Sequence, residues 1–232
     1  GTVTFTDQNG NVYIVAYWNE RPKEMLVASL EAIISLNFNV QLLEEEAPHP
    51  YPLNETLIPE KIKPYLLPTE NCPSDNPEMI DKAKNIAGNL TDQAEIVNNI
   101  IYWVVQNIPW PPTDSPNQSN YVITLLRALG IPARLVRGIR VYPLCPACHK
   151  TSSPEYRVQV WFPKIGWLNY DPYAAYNAYK PYPHCFVEFF AMSDIAMFPK
   201  ITNATRFNEC WDSEMVTYGT EVKVRYVVTI WP

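Results

Sequence analysis

The chain predicts an α+β fold, on three observations. Apolar residues recur at helical spacing over 76–107 and again over 114–129. Short β-rich runs then follow at 133–141, 157–163 and 166–170, with a cleanly alternating one at 221–231 (EVKVRYVVTIW). Proline-rich sequence without a period fills 44–76. Helices succeeded by strands, instead of alternating with them, imply a central helix packed on an antiparallel β-sheet.

Thr2 to Trp18 reads as a β-hairpin. Val3 and Phe5 alternate, Asn9-Gly10 is a turn pair, and Val12 to Tyr17 is β-rich. Arg21 to Leu43 reads as a helix with an extended exit from Asn37. Pro22 suits a first turn, and Met25, Leu26, Leu30, Ile33, Ile34 and Leu36 fit one stripe. Residues 1–45 would then be an N-terminal hairpin-plus-helix extension. Residues 46–75 are a connector. Pro48, Pro50, Pro52, Pro59, Pro64, Pro68 and Pro73 leave little room for regular structure, so an extended course over the surface is expected.

Residues 76–232 form the main domain in this reading. Pro77 opens a helix that runs to about Asn89. Thr91 is the expected N-cap of a second helix to Asn107, with Ile96, Ile100, Ile101, Val104 and Val105 inward. Asp114 to Leu129 is the central helix, striped by Tyr121, Leu125, Leu126 and Leu129. Gly130 sits at the C′ position, and Pro132 prevents continuation. Ala133–Val141, Arg157–Pro163 and the run from Gly166 are strands, with an insertion at 142–154. Pro172 to Thr220 is rich in aromatics and lacks a period. It reads as loops, with one short helix or strand around Phe186 to Phe190.

Composition excludes several functions. Net charge is −6, with only 18 Lys and Arg and no basic cluster, against nucleic acid or an anionic membrane as partner. No apolar run reaches the roughly 20 residues a membrane span needs. Charged residues are 18% of the chain, while prolines number 23 and tyrosines 15. Such a surface suits an extracellular or cell-surface protein. N-x-S/T sequons stand at Asn54, Asn89, Asn117 and Asn203, candidate glycosylation sites in that setting.

Two stretches carry more. Leu125 to Gly138 reads LLRALGIPARLVRG, and Trp161 to Pro172 reads WFPKIGWLNYDP. Their order and spacing resemble the core of the transglutaminase-like, papain-related superfamily. Tyr65-Leu66-Leu67-Pro68 and Trp103 to Ile108 (WVVQNI) resemble further motifs of it, so the likeness runs from about Tyr65 to Tyr173. The resemblance implies a Cys-His-Asp triad, with the cysteine at the start of the central helix. There the helix dipole favours a thiolate and free N–H groups can bind an oxyanion. The family spacing places the nucleophile 12 residues before Arg127 and the histidine 16 before Asp171. These positions hold Ser115 and Glu155, and only Asp171 is kept. A serine needs a base, and a glutamate titrates too low to replace imidazole. Two adjacent carboxylates would also require one to be neutral or paired with an arginine. The favoured reading of Ser115 is a helix N-cap before Pro116. His149 or His184 would have to fold back to supply a base.

The cysteines are Cys72, Cys145, Cys148, Cys185 and Cys210, an odd number. Cys145 to His149 is a CxxCH, the form of a haem-attachment box, but a lone box between two strands gives haem no pocket or second ligand. Zinc held by Cys145, Cys148, Cys185 and Cys210 is an alternative, although the second half lacks paired spacing. Disulfides are favoured, Cys185–Cys210 first and Cys145–Cys148 next, with Cys72 as the odd one. No cofactor is otherwise expected. The tyrosine-rich run 173–182 could contact a protein or glycan partner at the cell surface. The resulting expectation is a catalytically inactive transglutaminase-like domain serving as an extracellular binding or structural module. The alternative is an active hydrolase or acyltransferase with a rearranged site built on Ser115.

Overall fold

A computed structural model describes residues 2–6, 9, 11–16, 26–35, 46–109, 117–140, 154–172, 186–192, 207–215 and 221–230. Over 13–16, 26–35, 137–140, 154–155 and the strands beyond residue 185, the description is of the backbone alone. Strands β1 (Thr2–Thr6) and β2 (Val12–Ala16) pair antiparallel as the expected hairpin. Its turn is tied to the connector, where Tyr65 Oη donates to Asn9 Oδ1 at 3.0 Å.

The predicted helix over 21–43 is instead a strand. β3 (Leu26–Ser35) lies antiparallel beside β9 (Glu221–Ile230), in register from Leu26↔Ile230 to Ser35↔Glu221. The sequence LVASLEAIIS fits both periods: Leu26, Leu30, Ile33 and Ile34 make a helical stripe, while Leu26, Ala28, Leu30, Ala32 and Ile34 alternate. β-Branched residues and a long alternating partner favour the sheet. β8 (Phe207–Met215) lines the other edge of β9, giving the order β3-β9-β8. This strand was expected to be loop. Its FNECWDSEM has no clean alternation, and pairing to β9 supplies what local propensity does not.

The connector does have little regular structure, only single 3₁₀ turns at Glu55–Leu57 and Lys63–Leu66. It is not merely a surface strap, however. His49, Ile58, Ile62, Tyr65, Cys72 and Ser74 are buried. Its start clips to the next helix pair, with Tyr51 N donating to Thr91 O at 2.9 Å and Gln93 N to His49 O at 2.8 Å.

α1 (Pro77–Ala87) and α2 (Gln93–Asn107) follow. The N-cap of α2 is Asp92, one residue beyond the expected Thr91. Its Oδ1 accepts from Ala94 N at 2.8 Å and Glu95 N at 3.2 Å, and its Oδ2 from His49 N at 2.7 Å. A carboxylate complements the helix dipole better than a hydroxyl does. Asp92→Ala leaves all these donors without their acceptor, and a loss of about 2 kcal/mol is expected in urea unfolding. Asp92→Asn should keep most of it.

The central helix α3 is described over Asn117–Ala128. It ends in a Schellman motif. Ile131 N donates to Leu126 O at 3.0 Å and Gly130 N to Arg127 O at 2.9 Å, with Gly130 at φ +75°. That left-handed position explains the glycine of LLRALG. Gly130→Ala should cost about 1 kcal/mol from the left-handed backbone alone, since a Cβ there meets no neighbour, read as a lower melting temperature.

β4 (Ala133–Arg140), β5 (Pro154–Phe162) and β6 (Gly166–Tyr170) form an antiparallel meander, and β7 (Phe186–Met192) pairs on the far side of β4. The core lies between this sheet and the helices. Ile96, Ile100 and Val104 of α2 and Val122, Leu125 and Leu126 of α3 meet Leu135, Val158, Val160, Leu168 and Tyr170. The 3.6-residue and two-residue periods thus bury one stripe and one sheet face against each other.

Candidate functional site

The site expected from the sequence lies where the start of α3 and the ends of β5 and β6 would supply its groups. Ser115 and the rest of 110–116 fall outside the described residues, and so does the N-cap reading of Ser115. From residue 118 the helix start is buried: Gln118, Ser119 and Asn120 are each at most 7% exposed. Gln118 Nε2 donates to Ile108 O at 2.8 Å, which ties α3 to the end of α2.

Cys72 enters here, which the sequence did not indicate. The connector folds it against the first turns of α3, where its Sγ lies 3.6 Å from Asn120 O, the carbonyl that also accepts from Thr124 Oγ1 at 2.8 Å. Its side chain is fully buried in the aliphatic core. A thiol placed so is a small apolar filler whose hydrogen points to a carbonyl, not a nucleophile offered to a substrate.

The last register pair of β5 and β6 is Val158↔Tyr170. One row further, Arg157 faces Asp171. Arg157 Nη2 and Asp171 Oδ2 are 3.0 Å apart, with side chains 5% and 3% exposed. Arg157 Nη1 donates to Tyr156 O at 3.1 Å. Glu155 lies two residues back on β5, opposite Gly138, so backbone parity puts it on the strand face of Arg157. Of the two carboxylates expected to meet, Asp171 is therefore engaged by a guanidinium. Glu155 is placed at its register position only.

The alternation that buries Val158 and Tyr170 puts Arg157 and Asp171 on the other face of the sheet, with Arg134, Gln159 and Trp167. Arg134 stacks there between aromatic rings. Its guanidinium carbon lies 4.1 Å from the Trp167 centroid and 5.3 Å from that of Tyr65, and its Nε donates to Gln159 Oε1 at 2.7 Å. Trp161 packs nearby with Ile58 and Ile62. Trp161 and Trp167 thus pack against the connector.

Arg157 was missed by motif spacing because the motif marks only triad positions. Strand parity could have found it: in a tight antiparallel hairpin, the residue facing Asp171 is fixed by the turn at 163–165. Its chemistry is restrictive. A guanidinium stays protonated and has no acceptor, so it cannot take a proton from a nucleophile.

Arg127, the first arginine of LLRALGIPARLVRG, is structural too. Arg127 is 4% exposed, with Nε donating to Ala133 O at 3.0 Å and Nη1 to Leu67 O at 2.9 Å. It fastens the connector to the start of β4.

His149 and His184 fall outside the described residues. His49 is buried edge-on to Phe162, with ring centroids 5.3 Å apart. Cys145, Cys148 and Cys185 also fall outside, and Cys210 is placed by backbone alone, opposite Val227 on β9. The disulfide and zinc readings rest on these residues. Among the described residues, no group of three His, Cys, Asp or Glu is placed to hold a metal.

Comparison with known proteins agrees with the fold. Residues 114–172 match the family model of the transglutaminase-like superfamily. The crystal structure of a candidate cysteine protease from Cytophaga hutchinsonii superposes with a TM-score of 0.51 over 88% of each chain, at 14% identity. At that identity the likeness is one of fold. No curated protein matches the sequence. No helix among the described residues is long and apolar enough to cross a membrane. Residues 114–172 thus match the transglutaminase-like superfamily model, and the fold of the chain is similar to that of the Cytophaga hutchinsonii protein.

Proposed function

We propose that this transglutaminase-like domain has lost catalysis and serves outside the cell as a binding or structural module. One observation supports this above the others. Asp171, the acid that would orient an imidazole, is instead locked to Arg157 at 3.0 Å in a buried pair. A triad acid acts by fixing the base's tautomer and stabilising its cation. A carboxylate that faces a permanent cation at 3.0 Å is held by that pair, which argues against either role.

The nucleophile position adds to the reading. The chain has no cysteine between Cys72 and Cys145, so α3 lacks the thiol that a cysteine protease of this fold would carry at its start. The low charge content and the many prolines and tyrosines favour an extracellular setting, and the tyrosine-rich run 173–182 is the segment suited to a protein or glycan partner.

The test is an acyl-transfer and hydrolysis assay on a panel of peptide amides and esters, with and without an amine acceptor. Wild type and Ser115→Ala are expected to be indistinguishable from the uncatalysed rate. Turnover that Ser115→Ala abolishes would overturn the proposal and establish the hydrolase or acyltransferase alternative.

A further inference from the structure

The sequons are not equivalent in the fold. Asn54 is exposed and caps the first 3₁₀ turn, its Oδ1 accepting from Thr56 N at 3.0 Å and from Thr56 Oγ1 at 2.8 Å. Asn89 and Thr91 are exposed in the turn between α1 and α2, just past Gly88 at φ +56°. Asn117, by contrast, lies in the first turn of α3, and the hydroxyl residue of its sequon, Ser119, is fully buried. Asn203 is outside the described residues.

We infer that Asn54 and Asn89 carry N-linked glycans, resting on the extracellular reading above. The transfer uses a lipid-linked oligosaccharide pyrophosphate as donor. The bond from sugar C1 to Asn Nδ2 forms, the bond from C1 to the pyrophosphate oxygen breaks, one Nδ2 proton is released, and the lipid pyrophosphate leaves. The carbonyl oxygen is untouched. At Asn54 this matters, because both capping bonds are accepted by Oδ1 and survive modification. The sequon there is already turned as an Asx motif, with the threonine hydroxyl against the asparagine amide. At Asn89 the turn backbone is on the surface and a glycan displaces nothing buried.

The two sites also share one corner of the molecule. Tyr51 N is bonded to Thr91 O, Asn54 follows Tyr51 by three residues, and Asn89 precedes Thr91 by two. Paired glycans would cover the junction of connector and helix pair, and a protein partner would have to dock elsewhere.

The chain is expressed through a eukaryotic secretory pathway with its own flanking sequence and an added sequon on an unstructured tail. Peptide-N-glycosidase digestion followed by peptide mass mapping reads each site as Asn or Asp. Asn54 and Asn89 are expected as Asp. Thr56→Ala and Thr91→Ala keep the asparagines and should each remove the mass of one glycan, without lowering the melting temperature of the deglycosylated protein. A glycosylated tail with Asn54 and Asn89 unmodified overturns the glycan inference and leaves the extracellular reading standing. A bare tail means that the chain never met the transferase, and both fall.

Discussion

Arg157→Met is expected to destabilise the protein by about 3–5 kcal/mol, because it removes the guanidinium that lies 3.0 Å from a buried carboxylate. Asp171 is 2% exposed, so water cannot replace the guanidinium without opening the sheet edge. The informative experiment is a double-mutant cycle in urea. Asp171→Leu should be costly too, since it removes the carboxylate that faces a buried guanidinium. Combining Arg157→Met with Asp171→Leu should recover most of the loss, because a buried pair replaced by apolar groups of similar volume is often neutral. A single-variant cost under about 1 kcal/mol would mean that the pair is effectively solvated, contrary to its burial. It would also remove the main support for an inactive site, because an acid that loosely held could serve another partner.

Alkali is the second strong perturbation. Tyr170 is fully buried, and its Oη has no hydrogen-bond partner among the described residues. Burial, and then the negative charge of Asp92, push its phenol far above the ordinary value of 10.0. The folded chain therefore keeps a proton that the unfolded chain releases near pH 10. Below that pH the contribution is complete; above it, stability should fall by about 1.4 kcal/mol per pH unit. Tyr51, raised by partial burial, acts in the same direction. Tyr170→Phe should flatten this decline. At neutral pH it should be equal or more stable, because a buried hydroxyl without a partner is a cost and not a contact. Unfolding free energies at pH 8, 10 and 11 check both. Parallel curves for wild type and Tyr170→Phe would show that Tyr170 is not the titrating group.

What could be read from the sequence, and what could not, follows from the range of the forces involved. α1, α2 and α3, the strands β4 to β6 and their turns were legible because each carries its own period, cap or breaker. Gly130 and Pro132 end a helix wherever it sits. β3 and β8 were not legible. Their identity depends on β9, which lies far along the chain from β3, and no local pattern separates LVASLEAIIS from an amphipathic helix. The site was half legible. Spacing gave Asp171, but its partner is decided by strand register, which places Arg157 in the row that motif spacing leaves blank. The burial of Cys72 against α3 was invisible for a different reason: proline-rich sequence signals an absence of regular structure and says nothing about where the chain packs.

The pairing of β3 with β9 has a consequence for synthesis. Ser35 leaves the ribosome about 185 residues before its partner Glu221. At about 5–20 residues per second, β3 waits on the order of 10–40 seconds for the strand that completes it. The helices and the β4–β6 meander can collapse in that interval, since their contacts are closer in sequence. β3 cannot, and a ten-residue segment this apolar is an open template for any other strand it meets. Yield should therefore respond to translation speed and to holding chaperones more than to the stability of the finished fold. Aggregates formed in haste should be seeded by residues 26–35, far along the chain from β9.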